Sequence, residues 1–82
     1  VEDEFVIREG IKNNIDWKAH GYEFCGEAGD GELAYPMIQK LRPDIVITDI
    51  RMPFMDGLEL SRLIRKELPD TEIIILSGYQ EF

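Results

Sequence analysis

The chain has 82 residues, of which 44% are hydrophobic and 32% are charged. This composition is typical of one small globular domain, and a chain of this length buries only about 60 to 65% of its unfolded surface. Its apolar runs are far shorter than the roughly 18 to 20 residues that a transmembrane helix needs. We therefore expect neither a membrane span nor a signal peptide in these residues.

The charge of the chain is strongly negative. Nine Lys and Arg residues stand against seventeen Asp and Glu residues, which gives a formal net charge of −8. A domain of this charge repels the phosphate backbone, so we expect no direct binding to nucleic acid. The single cysteine, Cys25, excludes an internal disulfide and multi-cysteine metal sites, and is consistent with a reducing compartment.

The first part of the chain predicts a helix followed by a strand. Apolar residues at helical spacing indicate a helix over residues 5–15. After the break at Gly21, the short run over residues 22–25 favours a strand, and residues 26–31 are rich in turn-forming types.

A second helix is predicted to follow that turn. Asp30 offers an N-cap, and Pro43 stops the helical pattern. Because Pro36 lies inside the pattern and lacks a backbone donor, we expect a kink or a late helix start there.

Two segments, residues 44–49 and 72–77, each contain a short continuous apolar run and predict strands that are buried on both faces. Between them, apolar residues at helical spacing predict a third helix that ends at Pro69 (Leu60, Leu63, Ile64 and Leu68). This alternation predicts an α/β fold with βαβ crossovers and a doubly wound parallel sheet. Since no strand precedes Glu2 and the chain stops where a further helix should start, we expect a domain truncated at both ends.

Three carboxylates are predicted to converge at one edge of this sheet. Functional residues of open parallel sheets gather beyond the carboxyl ends of the strands. Asp49 ends such a strand, and Glu2 and Asp3 would end a strand beside it. An all-oxygen acidic cluster suits Mg²⁺, and a carboxylate held beside Mg²⁺ can act as a nucleophile toward a phosphoryl group. Ser77, at the end of the other strand, could donate a hydrogen bond to that group.

The same residues resemble the receiver domain of two-component response regulators. The resemblance rests on Glu-Asp-Glu at residues 2–4, Asp-Ile-Arg-Met-Pro-Phe-Met-Asp-Gly at residues 49–57 and Ile-Leu-Ser-Gly at residues 75–78. It covers essentially all 82 residues. The stretch over residues 77–82, with Asp16-Trp17 and Gly-Glu-Ala at residues 26–28 upstream, further looks like receivers joined to AraC-type DNA-binding domains.

The resemblance implies a flavodoxin-like receiver fold, with residues 1–82 as a partial receiver domain that lacks most of its first strand and everything from the fourth helix onward. It also implies a role for each matched residue. Asp49 would be the phosphoacceptor. Asp3 would bind Mg²⁺ directly, Asp49 and the backbone carbonyl of Arg51 would complete the protein ligands, and Glu2 would help through water. Ser77 would be the switch residue, and Pro53 and Gly57 would shape the loop.

The implied function is a phosphorylation-controlled switch. A sensor histidine kinase would donate the phosphoryl group, and a downstream DNA-binding output domain would regulate transcription in the cytoplasm. Such a domain catalyses only its own phosphorylation and dephosphorylation, and it contacts neither membrane nor nucleic acid.

Two other functions remain open. A haloacid-dehalogenase-like phosphatase would need a second Asp two residues after its nucleophile, where this chain has Arg51. A receiver that binds partners without being phosphorylated would not need the four polar residues Glu2, Asp3, Asp49 and Ser77.

Overall fold

A computed structural model of the chain describes residues 1–76. In chain order it contains helix α1 (Phe5–Asn14), a short 3₁₀ helix (Lys18–His20), helix α2 (Gly31–Leu41), strand β1 (Ile45–Asp49), helix α3 (Gly57–Glu67) and strand β2 (Glu72–Leu76). The three predicted helices and the two apolar strands are thus confirmed. The predicted strand end at Ser77 lies outside the described residues.

Strands β1 and β2 form a parallel pair in the described part of the chain. Ile45 lies opposite Glu72, and Asp49 lies opposite Leu76. Helix α3 is the crossover that a parallel pair requires. The carboxyl ends of both strands therefore lie at the same edge of the sheet, and Asp49 is the last residue of β1.

Helices α2 and α3 cover one face of the sheet. The core between them consists of small and branched apolar side chains, which are Ala28, Ala34, Ile38, Val46, Leu60, Ile64 and Leu68. Leu60 and Ile64 are completely buried. Full burial of each such side chain contributes about 1.5 to 3 kcal/mol to stability, so α3 is anchored mainly by these two residues.

Both helices start at an aspartate. The Leu33 amide donates to Asp30 Oδ1 at 2.8 Å, and the Glu59 amide donates to Asp56 Oδ1 at the same distance. The prediction of Asp30 as an N-cap is therefore confirmed. The predicted late helix start is wrong, because this cap begins α2 at Gly31, well before the exposed Pro36. A kink at Pro36 stays a prediction.

The predicted strand over residues 22–25 is wrong. A strand is defined by backbone hydrogen bonds to a neighbouring strand. Near this segment the structure records a turn bond from the Tyr22 amide to the Trp17 carbonyl, and a bond from the Glu2 amide to the Ala28 carbonyl. Residues 22–25 instead lie along an open groove, where they have no strand partner among the described residues.

Burial of the strands on both faces is also not observed in the described residues. Val46 and Thr48 of β1 are buried, whereas Ile45 is 37% exposed and Ile74 of β2 is 48% exposed. Helix α1 lies on this second face, as doubly wound topology requires, but it does not close over the strands. Between them runs a groove of about 600 Å³ that is lined by Arg8, Ile11, Phe24, Ile45, Ile47, Ile74 and other residues.

The first two residues of the chain lie between β1 and the segment that precedes α2, where the Glu2 amide bonds to the Ala28 carbonyl. The Val1 nitrogen donates to the Ile47 carbonyl, and the Asp49 amide donates to the Val1 carbonyl at 2.9 Å. This is the bonding pattern of a parallel pair in which Val1 lies opposite Thr48. The residues that follow Val1 are therefore carried to the same edge of the sheet as Asp49.

No helix within residues 1–76 has the length and the apolar character that crossing a membrane would require.

We expect Asp30→Ala to lower the free energy of unfolding by about 1 kcal/mol, because the Leu33 amide loses its acceptor. Urea denaturation followed by circular dichroism measures this change. Asp30→Asn keeps a capping oxygen and serves as the matched control. A loss of the same size in both variants would contradict the capping role and assign the effect to the buried charge of Asp30.

Candidate functional site

Three carboxylates meet at the carboxyl end of β1. One oxygen from each of Glu2, Asp3 and Asp49 lies within 4.8 Å of the other two. The Glu2 side chain is buried, Asp49 is half-buried and Asp3 is exposed. The structure thus brings together the three side chains that the sequence predicted to converge, and the group opens to solvent on the side of Asp3.

Glu2 is held on three sides by hydrogen bonds. Its amide donates to the Ala28 carbonyl at 3.1 Å, and its own carbonyl accepts from Arg8 Nη1 at 2.7 Å. Its Oε1 accepts from the Glu4 amide at 3.1 Å. The residue is only 6% exposed, so its carboxylate is fixed in place and largely removed from water.

Burial raises the pKa of Glu2 above its ordinary value, and the nearby charges of Asp49 and Asp3 raise that pKa further. The Glu4 amide opposes this shift by bonding to the ionised form. In the absence of a cation, ionisation of Glu2 therefore costs more free energy in the folded chain than it would in water. A divalent cation would offset the repulsion, and an all-oxygen donor set is the type that Mg²⁺ prefers. The residues present fit such an ion.

Asp49 is oriented by the backbone around it. Its Oδ1 accepts from the Ile50 amide at 2.8 Å, and its backbone amide bonds to the Val1 carbonyl. Thr48, which is fully buried, donates its hydroxyl to the Asp49 carbonyl at 2.9 Å. These bonds fix the backbone of Asp49 and one of its carboxylate oxygens at the edge of the sheet.

The loop after Asp49 passes very close to the strand end. The Gly57 amide donates to the Ile50 carbonyl at 2.8 Å. A Cβ atom on Gly57 would overlap the Asp49 carbonyl oxygen, so a side chain here would force the loop away from Asp49. Arg51 and Pro53 lie in this loop and are exposed. Ser77, the remaining predicted site residue, lies outside the described residues.

Sequence reasoning missed two features of the site. Phe54 has a left-handed backbone with φ of 67° and is 84% exposed, although an aromatic residue rarely adopts this conformation. Arg8 reaches back to the Glu2 carbonyl. No sequence signal marks this contact, because it depends on how α1 turns after Glu4.

Comparisons with known proteins identify the family of this chain. The sequence model of the response regulator receiver domain matches residues 1–82. An uncharacterized transcriptional regulatory protein of Bacillus subtilis, YesN, is 42% identical over 99% of this chain. The transcriptional regulatory protein HptR of Staphylococcus aureus is 43% identical over the same share. The chain spans 22% of YesN and 31% of HptR.

Solved structures give the same result. The REC domain of AraT, a response regulator from Geobacillus stearothermophilus, superposes with a TM-score of 0.90 at 42% identity, over 95% of this chain and 60% of that one. A two-component transcriptional regulator AraC from Clostridium phytofermentans superposes with a TM-score of 0.87 at 42% identity, over 96% of this chain and 64% of that one. With the family model matched along the whole sequence, the chain belongs to the response regulator receiver domain family.

Proposed function

We propose that Asp49 is a phosphoacceptor that takes a phosphoryl group in the presence of Mg²⁺. The observation that carries this proposal is the convergence of Glu2, Asp3 and Asp49, with one oxygen from each within 4.8 Å of the others. An isolated aspartate at a strand end would need no such neighbours. Two further carboxylates so close to it are unfavourable unless a cation shares the site.

The chemistry follows from what each side chain supplies. A carboxylate oxygen of Asp49 attacks phosphorus, and the bond from phosphorus to the leaving nitrogen of a phosphohistidine breaks with its electron pair on nitrogen. The Ile50 amide holds Oδ1 during this step. Mg²⁺, when bound, neutralises charge on the site and on the transferring group.

The remaining site residues support this step. The backbone carbonyl of Arg51 would hold the ion together with Asp3 and Asp49, and Glu2 would help through water. Pro53 and Gly57 hold the loop in place, which fits the close approach of Gly57 to the Asp49 carbonyl. We propose that Ser77 is the switch residue, which would donate a hydrogen bond to the phosphoryl group.

We further propose a sensor histidine kinase as the phosphodonor and a downstream AraC-type DNA-binding domain as the output. The relatives named above are transcriptional regulatory proteins, and one superposed structure is a regulator named AraC. The net charge of −8 leaves contact with DNA to the output domain. A cytoplasmic location belongs to the same proposal, because a transcription regulator acts where the chromosome lies. The chain is a switch that catalyses only its own phosphorylation and dephosphorylation.

We expect the full-length protein to gain the mass of one phosphoryl group when it is incubated with Mg²⁺ and a small-molecule phosphodonor. Asp49→Asn should abolish this gain, because the amide is not a nucleophile. Asp44→Asn, an exposed change just before β1, is the matched control and should behave as the wild type. Intact-protein mass spectrometry reads the result.

A folded wild type that gains no mass would contradict the phosphoacceptor role and favour a partner-binding module. A gain that persists in Asp49→Asn would move the acceptor to another residue. Sustained release of phosphate from a phosphate monoester would instead indicate a phosphatase.

The raised pKa of Glu2 predicts a pH-dependent effect of Glu2→Gln on stability. Because the folded-state pKa lies above the unfolded value, the contribution of Glu2 to stability is fully present at low pH and is lost as pH rises through the raised pKa. In metal-free buffer Glu2→Gln should therefore raise Tm relative to the wild type at neutral pH, and the difference should vanish in acid. Thermal unfolding of both proteins from acidic to neutral pH measures this difference in Tm.

Added Mg²⁺ should reverse this order at neutral pH, because the wild type binds the ion and Glu2→Gln loses a negative charge beside it. Glu4→Gln, a change in an exposed neighbouring side chain, is the control and should leave the Mg²⁺-induced rise in Tm intact. An equal Mg²⁺-induced rise in the wild type and Glu2→Gln would contradict a metal role for Glu2.

A further inference from the structure

Arg8 of α1 joins three segments of the chain at the acidic site. Its Nη1 donates to the Glu2 carbonyl at 2.7 Å, and its guanidinium carbon lies 5.6 Å from the centre of the Phe5 ring. It also packs against Gly29, since a Cβ atom there would lie 3.2 Å from Nη1. One side chain therefore connects the start of α1, the segment before α2 and the turn that carries Glu2.

The carbonyl that Arg8 binds belongs to the peptide group between Glu2 and Asp3. A peptide group is planar, so fixing its carbonyl oxygen fixes the plane from which both neighbouring residues project. On the other side of Glu2, the amide is bonded to the Ala28 carbonyl. With both sides of Glu2 bonded, the backbone from which the Glu2 and Asp3 side chains project is held in place.

We propose that Arg8 is the positioning residue for the metal-binding pair Glu2 and Asp3. This inference rests on the proposed Mg²⁺ site. Arg8 acts through the backbone of Glu2 and does not bind the ion itself. It keeps the two carboxylates in a geometry that an ion can use without further reorganisation of the turn.

The direction of the change in Mg²⁺ affinity distinguishes a positioning role for Arg8 from a purely electrostatic role. A guanidinium near a cation site repels the cation, so removal of its charge alone would strengthen Mg²⁺ binding. Loss of the hydrogen bond that holds the backbone of Glu2 would instead weaken Mg²⁺ binding. The two roles therefore predict opposite changes in affinity for the same variant.

The test is calorimetric titration of Mg²⁺ into the full-length wild type, Arg8→Gln and Arg8→Lys. We expect Arg8→Gln to weaken binding about 10-fold, as loss of a residue that orients metal ligands does. Arg8→Lys should weaken it about 3-fold, because an ammonium reaches the carbonyl but lacks the planar contact with Phe5 and Gly29. Lys12→Gln, one turn further along α1, removes a cation that pairs with Glu27 at 3.7 Å and should leave affinity unchanged.

A second readout excludes a merely structural effect. Phosphorylation by a small-molecule donor should need more Mg²⁺ for half-maximal rate in Arg8→Gln, while the rate at saturating Mg²⁺ stays within about 2-fold of the wild type. Loss of folded protein would lower the amount phosphorylated and leave the half-saturating concentration unchanged. If Arg8→Gln does not fold, the Mg²⁺ affinity of Arg8→Lys alone tests the proposal.

Unchanged or tighter Mg²⁺ binding in the folded variants, with Mg²⁺-dependent phosphorylation in the wild type, would overturn the role of Arg8 and leave the proposed function standing. A wild type that binds no Mg²⁺ would overturn both, since the pair would then have no ion to be positioned for.

Discussion

Mutual repulsion among three carboxylates is the constraint around which this edge of the sheet is organised. Glu2, Asp3 and Asp49 have oxygens within 4.8 Å of one another, and Glu2 is almost completely buried. Such a group favours protonation or a bound cation. The surrounding backbone prevents the carboxylates from separating, because Glu2 is bonded through its amide, its carbonyl and its side chain. The repulsion among the carboxylates is therefore part of the folded structure.

The register of β1 determines which side chain completes the group. On one edge of β1 the Asp49 amide bonds to the Val1 carbonyl, and on the other edge β1 pairs with β2. These bonds hold Asp49 at the end of the strand. A slip of one residue would turn Asp49 to the other face of the sheet. The core prevents this slip, since Val46 and Thr48 alternate with Asp49 and are buried beneath α2 and α3. The packing of the helices and the chemistry at the sheet edge are thus linked through one short strand.

Features that are local or set by parallel topology could be predicted from the sequence, whereas features that depend on distant packing could not. Asp30 was recognisable as a cap because its acceptor lies three residues before the donor it serves. The convergence of Asp49 with Glu2 followed from parallel topology and from the family resemblance. The prediction of a strand over residues 22–25 failed because a strand needs a hydrogen-bonded neighbour, and none is found for it among the described residues. The prediction of two-sided burial failed because α1 does not close over β1. The Arg8 contact with Glu2 was invisible for a different reason, since it depends on the path of the chain between them.

The account turns on whether one divalent cation binds among Glu2, Asp3 and Asp49. The most direct measurement is a crystal structure of the full-length protein grown with Mn²⁺, with anomalous diffraction data collected near the manganese absorption edge. The account predicts one strong anomalous peak bonded to oxygens of Asp3 and Asp49, at about 2.0 to 2.3 Å, with Glu2 beside it. A fully folded structure with no peak at the end of β1, or with its peak elsewhere, would contradict the account.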